Sequence, residues 1–373
     1  MMFRDPTAWY HIVAVADYSN STAADRFKVY VNGSQISLNI TDSIENADGQ
    51  CNGAFEHEIG AVGSSNSVFD GYMADINFID GQALDASYFG YTEFQTKVWR
   101  PKRYTGTYGN NGFKLDFRDF SGDTATTIGR DYSGNQNNFS PDNFGGTGDG
   151  AIDSPTNNFT SFNKIMDYSL NAQITEAGLR VEGPDSGHND RRIYAPFAIP
   201  LTGKYYVEVK CVKNGARGTI GFSDGPISGG GSGNNWFSFG FYGGGYSTSW
   251  TKVGSNTSDF NLNDYVSFAL DMDQGKMWLV KNGNVDVTAQ ESITNIIRTN
   301  LDRPLRWFYQ ETASDESAAL FNFGQFPYNY TVPDGFKTLS SRNIQPTYFR
   351  ATNQPVKTFL NPKNHFNTVI YSG

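Results

Sequence analysis

The chain has 373 residues, enough for two or three domains of ordinary size. Its 40 glycines, 15% aromatic residues and only 18% charged residues are typical of many short strands joined by polar turns. A net charge of −9 with scattered Lys and Arg argues against a nucleic-acid partner. Since no apolar run approaches the ~20 residues of a membrane helix, and the segment from Met1 to Ala8 is polar, we expect neither membrane insertion nor a signal peptide.

Short strands are predicted along the first hundred residues. Trp9 to Ala16 forms one, and Phe27 to Val31 alternates until Asn32-Gly33, a strong signal for a two-residue hairpin. The other elements predicted here are strands at 34–40, 56–60 and 72–79 and one helical turn at 84–89.

The region from residue 104 to residue 158 is rich in Gly, Asn and Asp. Such residues favour turns and loops. Between the turns lies one alternating segment, Phe113 to Phe117. We therefore expect a connector with little β structure.

A second set of strands is predicted between residues 159 and 342. Residues 205–212 alternate, which places four side chains on one face of a strand: Tyr205, Val207, Val209 and Cys211. A strand–turn–strand unit then leads into a second Asn-Gly hairpin at Asn282-Gly283. The remaining strands are predicted at 219–222, 266–272, 276–280, 320–323 and 336–339.

The first module carries the segments Trp9–Val15, Phe27–Gly33, Glu58–Gly60 and Phe69–Asp75. In this order they resemble the laminin-G-like or pentraxin-like branch of the concanavalin A-like lectin superfamily. That family has several strands before the Trp-Tyr-His strand, which here begins at residue 9. The resemblance therefore implies that the first sandwich is incomplete at its N-terminus, that the chain is a fragment, and that a partner chain supplies missing strands.

The second module resembles a SPRY (B30.2-like) domain. The segments that carry the resemblance are Gly203–Val209, Thr219–Phe222, Asp264–Asp271, Gly275–Gly283 and Phe321–Gly324. Both resemblances imply one fold class, all-β, with two tandem concanavalin-like jelly-roll sandwiches. The expected organisation is a partial sandwich at 1–103, the connector at 104–158, a SPRY-like sandwich at 159–342, and an extension or further domain at 343–373.

The order of modules is similar to that of marine bacteriophage virion proteins. Three segments carry this resemblance: Phe78–Leu84, Asp131–Asn138 and Asn322–Pro327. It implies an extracellular virion structural or adhesion protein of tail-fibre or head-appendage type, assembled as a homo-oligomer. The implied partners are a cell-surface glycan or other virion proteins. Two alternatives stay open, a secreted bacterial lectin or adhesin and a glycan depolymerase.

Catalytic groupings are sparse. Glu56 and Glu58 have the spacing of two carboxylates on one strand face, but the third acid of the glucanase pattern is missing. The four histidines are far apart, so His11 is interpreted as structural and no metal site is expected. Neither Cys51 nor Cys211 lies in a catalytic motif, and a disulfide between these two modules is not expected. We therefore expect a protein that is not an enzyme.

Calcium is the one ion left open. The laminin-G and pentraxin resemblance implies loop oxygens that hold Ca²⁺. The candidate ligands are Asp17, Asp25, Asp70, Asp75 and Asp80. Because aspartates in such loops usually make turns, no cofactor is expected, with Ca²⁺ as the alternative.

The stretch from Gly225 to Trp250 holds the predicted binding site. A Gly/Ser-rich segment is followed by a dense run of aromatic residues, whose faces stack on sugar rings while nearby amides bond the hydroxyls. Phe237, Phe239 and Phe241 share one parity and are predicted to face the core. The predicted ligand-binding residues are Trp236, Tyr242, Tyr246, Trp250 and Asn235.

Overall fold

The structure is a computed structural model of the chain. It describes residues 3, 8–39, 52–53, 56–62, 68–69, 71–94, 97–119, 121–144, 150–166, 172–183, 191–213, 218–224, 236–240, 246–248, 260–292, 305–311 and 317–344. The chain divides into two compact units, one spanning residues 8–150 and the other running from Ala151 onward. The predicted module boundaries stay predictions.

The first unit contains a three-stranded antiparallel sheet in the order β1-β2-β3. Its strands are β1 (Ile12–Ala16), β2 (Phe27–Val31) and β3 (Ser34–Ile36), with a short helix α1 (Ala23–Arg26) before β2. Asn32 and Gly33 join β2 to β3 with φ of 48° and 78°. Positive φ at both positions defines a type I′ turn, so the hairpin prediction is confirmed.

Two short ladders complete the described β structure of the first unit. They pair β4 (Ile76–Phe78) with β7 (Phe113–Leu115) and β5 (Gly90–Thr92) with β6 (Trp99–Pro101). A 3₁₀ helix at Ala86–Tyr88 confirms the predicted helical turn. The predicted strand at 56–60 is wrong, because these residues have no strand conformation and only Ala61 bridges Val68. The described part of this unit contains no second sheet packed on β1-β2-β3 as in a complete sandwich.

Buried Asp131 organises the connector. Its Oδ1 accepts the backbone N–H of Lys114 at 2.8 Å and that of Ser133 at 2.7 Å, while its Oδ2 accepts the N–H of Asn137 at 3.0 Å. A carboxylate that accepts several backbone N–H groups fixes a loop without regular secondary structure. The Asn/Gly-rich segment is therefore well organised around residue 131, although it has few strands.

The second unit is an antiparallel two-sheet β-sandwich. One sheet has five strands in the order β10-β18-β12-β13-β14, and the other has seven in the order β17-β16-β15-β11-β19-β9-β8. The strands are β8 (Gln173–Thr175), β9 (Arg180–Glu182), β10 (Arg191–Ile199), β11 (Lys204–Lys213), β12 (Gly218–Ser223), β13 (Trp236–Gly240), β14 (Tyr246–Thr248), β15 (Tyr265–Asp271), β16 (Lys276–Lys281), β17 (Asn284–Ser292), β18 (Leu305–Glu311) and β19 (Ala318–Asn322). The chain is thus all-β, as predicted, and its tandem arrangement of sandwiches stays a prediction.

The inner faces of the two sheets enclose one apolar core. The predicted face of β11 is confirmed, because Tyr205, Val207, Val209 and Cys211 are all buried there. An aromatic contact joins the sheets, because Trp307 of β18 packs at 5.0 Å from Phe268 of β15 in the opposite sheet. Trp307 also packs at 5.3 Å from Phe222 of β12, its neighbour in the same sheet. Edge-to-face rings at these centroid distances add specific attraction to the burial of apolar area.

A strap at residues 326–337 lies on the outer face of the seven-stranded sheet. Glu208 of β11 accepts the backbone N–H groups of Asn329 and Tyr330, at 3.0 and 3.3 Å. The Tyr328 hydroxyl donates to the Tyr206 carbonyl at 2.9 Å. The predicted strand at 336–339 is wrong, since Lys337 forms only an isolated bridge with Tyr205.

An asparagine clasp recurs in both units. Asn32 donates its N–H to the His11 carbonyl at 2.8 Å, and its Oδ1 accepts the His11 N–H at 2.9 Å. Asn282, in the hairpin between β16 and β17, makes the same two bonds to Tyr265, at 2.9 and 2.8 Å. Each turn therefore also fastens the strand that precedes its hairpin in the sheet.

Truncating the ring that joins the sheets tests this description of the core. Trp307→Ala is expected to lower the free energy of unfolding by about 3–5 kcal/mol, since it leaves a cavity between Phe222 and Phe268. Leu262→Ala is the control, because Leu262 is 54% exposed in the same unit and its loss is expected to cost less than about 0.5 kcal/mol. Denaturant unfolding compares the variants, and equal losses would contradict the assigned core.

Candidate functional site

The predicted binding residues fall on and beside the hairpin of β13 and β14. Trp236 is the first residue of β13 and Tyr246 is the first residue of β14. Asn235, Tyr242 and Trp250 lie outside the described residues, as do the side chains of Trp236 and Tyr246. The structure therefore places two of the five positions on neighbouring paired strands.

Strand register assigns these two positions to different faces of the five-stranded sheet. Trp236 pairs with Ser223, whereas Tyr246 pairs with Phe239. Paired residues of an antiparallel ladder share a face, and Phe239 has the parity of Phe237, which is fully buried in the core. Position 236 thus belongs to the outer face and position 246 to the inner face at the edge strand. The predicted inward position of Phe237 is confirmed.

The outer face of the same sheet carries an ordered polar–aromatic cluster. The Arg192 Nε donates to Gln310 Oε1 at 2.6 Å, and its guanidinium lies 5.7 Å from the centroid of the Phe308 ring. The Tyr194 ring lies 5.9 Å from the Phe308 ring, and the Tyr194 hydroxyl accepts a bond from the Ser223 hydroxyl at 3.3 Å. Cation–π attraction and a charge-assisted bond hold the arginine in one orientation.

This cluster supports the edge hairpin and does not itself present a surface. Arg192, Tyr194, Phe308 and Gln310 are each no more than 8% exposed. Ser223 joins the cluster to the hairpin, because it bonds Tyr194 and pairs with Trp236. A rigid cluster of this kind fixes the backbone of the hairpin at position 236.

Sequence reasoning missed this cluster. The alternation of residues 305–311 is the signal that could have found it, since polar Arg306 and Gln310 alternate there with Trp307 and Tyr309. The two ends of the Arg192–Gln310 bond are 118 residues apart. No short sequence pattern predicts a pairing between residues so far apart.

The two candidate catalytic carboxylates do not share a strand face. Glu56 and Glu58 are exposed and are not in a strand, so the shared strand face does not exist. Across the described ranges, no group of three or more His, Cys, Asp and Glu residues is placed to hold a metal ion.

Four of the five candidate calcium ligands contact protein groups, and Asp70 lies outside the described residues. Asp17 accepts from Ser19, Asp25 and Asp75 pair with Lys28 and Lys114, and Asp80 accepts from Asn52 and Asn111. These are the bonds expected of aspartates in turns and ladders. The expectation of no cofactor, with Ca²⁺ as the alternative, stays a prediction.

The buried ionisable groups of the second unit are held in structural roles. Burial raises the pKa of the Glu208 carboxyl, and the two strap N–H groups oppose that rise by bonding the charged form. Glu311 accepts from the Tyr309 and Ser317 hydroxyls, and all three groups are buried. Burial raises the pKa of the Cys211 thiol to about 11, so it stays protonated at neutral pH and is a poor nucleophile.

His11 has a structural partner, as its interpretation from sequence requires. Its Nδ1 accepts the Trp99 indole N–H at 3.1 Å, so the ring proton is on Nε2 when His11 is neutral. Trp99 in turn covers Gly33 and Gly90, where a Cβ would collide with its ring. Burial lowers the pKa of His11 from its ordinary value of 6.5, partly opposed by the negative charge of Asp75.

Acidification is expected to weaken this contact. A lowered folded-state pKa means that the unfolded chain binds the proton first, so the contribution of neutral His11 is complete above its ordinary pKa of 6.5 and is lost as pH falls below that value. His11→Gln keeps an acceptor for Trp99 without a titratable ring. As the pH is lowered from about 7.5 to about 5, the unfolding free energy of wild type is expected to fall relative to that of this variant. A difference between the two proteins that does not change with pH would contradict this expectation.

No family model matches the chain, and no curated protein matches it. The structure is similar to the SPRY domain of human HERC1, at 14% identity and a TM-score of 0.33, over 43% of this chain and 96% of that one. It is also similar to the TRIM65 PSpry domain, at 10% identity and a TM-score of 0.28, over 43% of this chain and 91% of that one.

Scores this low carry no argument about function, and the β-sandwich assignment rests on the sheets themselves. In the described part of the chain, no helix has the length and apolar character to cross a membrane.

Proposed function

We propose that this protein is a non-catalytic binding module whose second unit engages a cell-surface glycan, or a protein surface, through the β13–β14 hairpin. The placement of Trp236 at the start of β13, on the outer face of the sheet, carries the proposal. Among the described strands β14 is the last of its sheet, so the hairpin lies at an edge, where a ligand can approach. Its Gly- and Ser-rich flanks let a ligand come close to the backbone.

The chemistry of this hairpin suits sugars. Aromatic faces stack on the apolar C–H patches of a sugar ring, and the neighbouring Asn and Ser residues can bond hydroxyl groups. Arg306, which pairs with buried Ser223, brings one further hydrogen-bonding side chain to the row of position 236. Such sites bind one ligand weakly, and repetition of the module raises the overall avidity.

The finer proposal is a phage virion structural or adhesion protein, of tail-fibre or head-appendage type, acting as a homo-oligomer outside the cell. The sequence resemblances support it, since a virion repeats one chain many times and so supplies the multivalency that weak sites need. A secreted bacterial lectin or adhesin would use the same hairpin. In either setting Ca²⁺ is the candidate ion for the loop aspartates of the first unit.

Glycan-array binding of the whole chain tests the hairpin. Trp236→Ala is expected to weaken binding about tenfold or more, since loss of one stacked ring removes roughly 1.4 kcal/mol. Trp278→Ala is the matched control: Trp278 is half-buried on the outer face of the seven-stranded sheet, against Phe336, and its loss is expected to leave binding unchanged. Equal losses in both variants, or none in Trp236→Ala, would reject the site.

Incubation with capsular polysaccharide tests the non-catalytic part of the proposal. No release of reducing ends is expected, because Glu56 and Glu58 are exposed and lack a shared strand face. Release that disappears in Glu56→Gln or Glu58→Gln, with folding unchanged, would establish a depolymerase and overturn the proposal.

A further inference from the structure

Strand β1 differs from the other long sheet edges of the described chain. β10 contains Pro196 and a register shift, and the pairing of β17 with β16 is interrupted by a shift. The edge strands β3, β8 and β14 have three residues each. Proteins use such devices to prevent edge-to-edge pairing. β1 has five residues, Ile-Val-Ala-Val-Ala, with no charge, proline or shift.

In the described part of the chain no strand pairs with the second edge of β1, and this edge presents a regular set of backbone groups. The His11 carbonyl accepts from the Asn32 N–H, and the Asp17 N–H donates to the Arg26 carbonyl, one residue beyond either end of the β1–β2 ladder. Hydrogen-bonded pairs alternate along an antiparallel ladder, so the odd-numbered residues bond β2. The even-numbered residues, Ile12, Ala14 and Ala16, therefore direct their N–H and C=O groups away from β2, and their side chains are exposed.

We propose that β1 pairs antiparallel with β1 of a second copy of this chain, about a two-fold axis at Ala14. In this register Ala14 lies opposite Ala14 and Ile12 lies opposite Ala16 of the second copy. Every hydrogen-bonded pair then joins two even-numbered residues, as the free edges require. The two three-stranded sheets become one six-stranded sheet, and one patch serves both subunits, as in an isologous dimer.

The residues that flank β1 favour a second copy of this chain as the partner of its unpaired edge. The same register sets His11 opposite Asp17 of the second copy, twice in the dimer. His11 accepts at Nδ1 from Trp99, so its Nε2–H remains a donor, and the Asp17 carboxylate is an acceptor. A strand of unrelated sequence would match the backbone groups but not these complementary ends.

The expected dimer is weak. A five-residue ladder is small beside the ~1,200–2,000 Å² buried in stable interfaces, so assembly should depend on concentration. Copies held at high local concentration, as in a repeated assembly, would pair readily. This inference does not rest on the glycan-binding proposal.

Sedimentation velocity of the full chain, across about three decades of concentration, tests the pairing. Wild type is expected to convert reversibly from monomer to dimer. Ala14→Pro removes the two central intersubunit bonds without touching a β1–β2 bond, and Ala14→Lys sets two like charges opposite each other. Both are expected to weaken the dimer about tenfold or more, whereas Ala14→Ser, which keeps the N–H and adds no charge, should not.

Hydrogen exchange of the peptide spanning residues 9–17 provides a readout that needs no variant, because pairing should slow its exchange as protein concentration rises. If Ala14→Pro does not fold, Ala14→Lys and this peptide decide the question. A wild-type chain that stays monomeric overturns the proposal. So does a dimer that persists unchanged in Ala14→Pro and Ala14→Lys, since another surface would then hold the copies.

Discussion

The contact of Trp307 with Phe222 and Phe268 is the constraint on which the rest of the second unit depends. The Phe268 contact ties the five-stranded sheet to the seven-stranded sheet across their inner faces. The Phe222 contact joins β18 to its neighbour β12 within the five-stranded sheet. Once these rings interlock, strand alternation fixes which residues of β11, β12 and β18 are inside and which are outside. Position 236 reaches the outer face for that reason, because it shares a row with Ser223 and not with Phe222.

The outer faces of both sheets in the second unit are partly covered by other groups of the protein. The strap anchored by Glu208 covers part of one sheet, and the Arg192–Phe308–Gln310 cluster is buried on the other. Apolar and aromatic area is thereby stabilised on both sides of each sheet. Sheet edges and the hairpins at them are consequently where this architecture can meet a ligand or another chain, and both the hairpin proposal and the β1 proposal use such edges.

Much of this fold could be predicted where local patterns decide it. The alternation of residues 205–212 predicts a real inner face, and both Asn-Gly turns adopt the positive φ angles that their chemistry favours. The errors at 56–60 and 336–339 arise because β propensity reflects cross-strand neighbours that a short segment does not reveal. Of the candidate site, only the strand positions of Trp236 and Tyr246 were within reach of sequence; the cluster behind them joins β10 and β18, distant segments whose pairing only the folded sheet creates.

The two asparagine clasps are alike in geometry but not in their resistance to chemical ageing. Asn-Gly sequences are prone to deamidation, which turns the amide into a carboxylate. At Asn32 the clasp uses the side-chain oxygen as an acceptor from His11, and a carboxylate keeps that oxygen. At Asn282 the amide nitrogen also donates to Asp264 at 2.7 Å. Deamidation there would replace a bond with two facing negative charges, so of the two clasps the one between β16 and β17 is expected to lose more stability on deamidation.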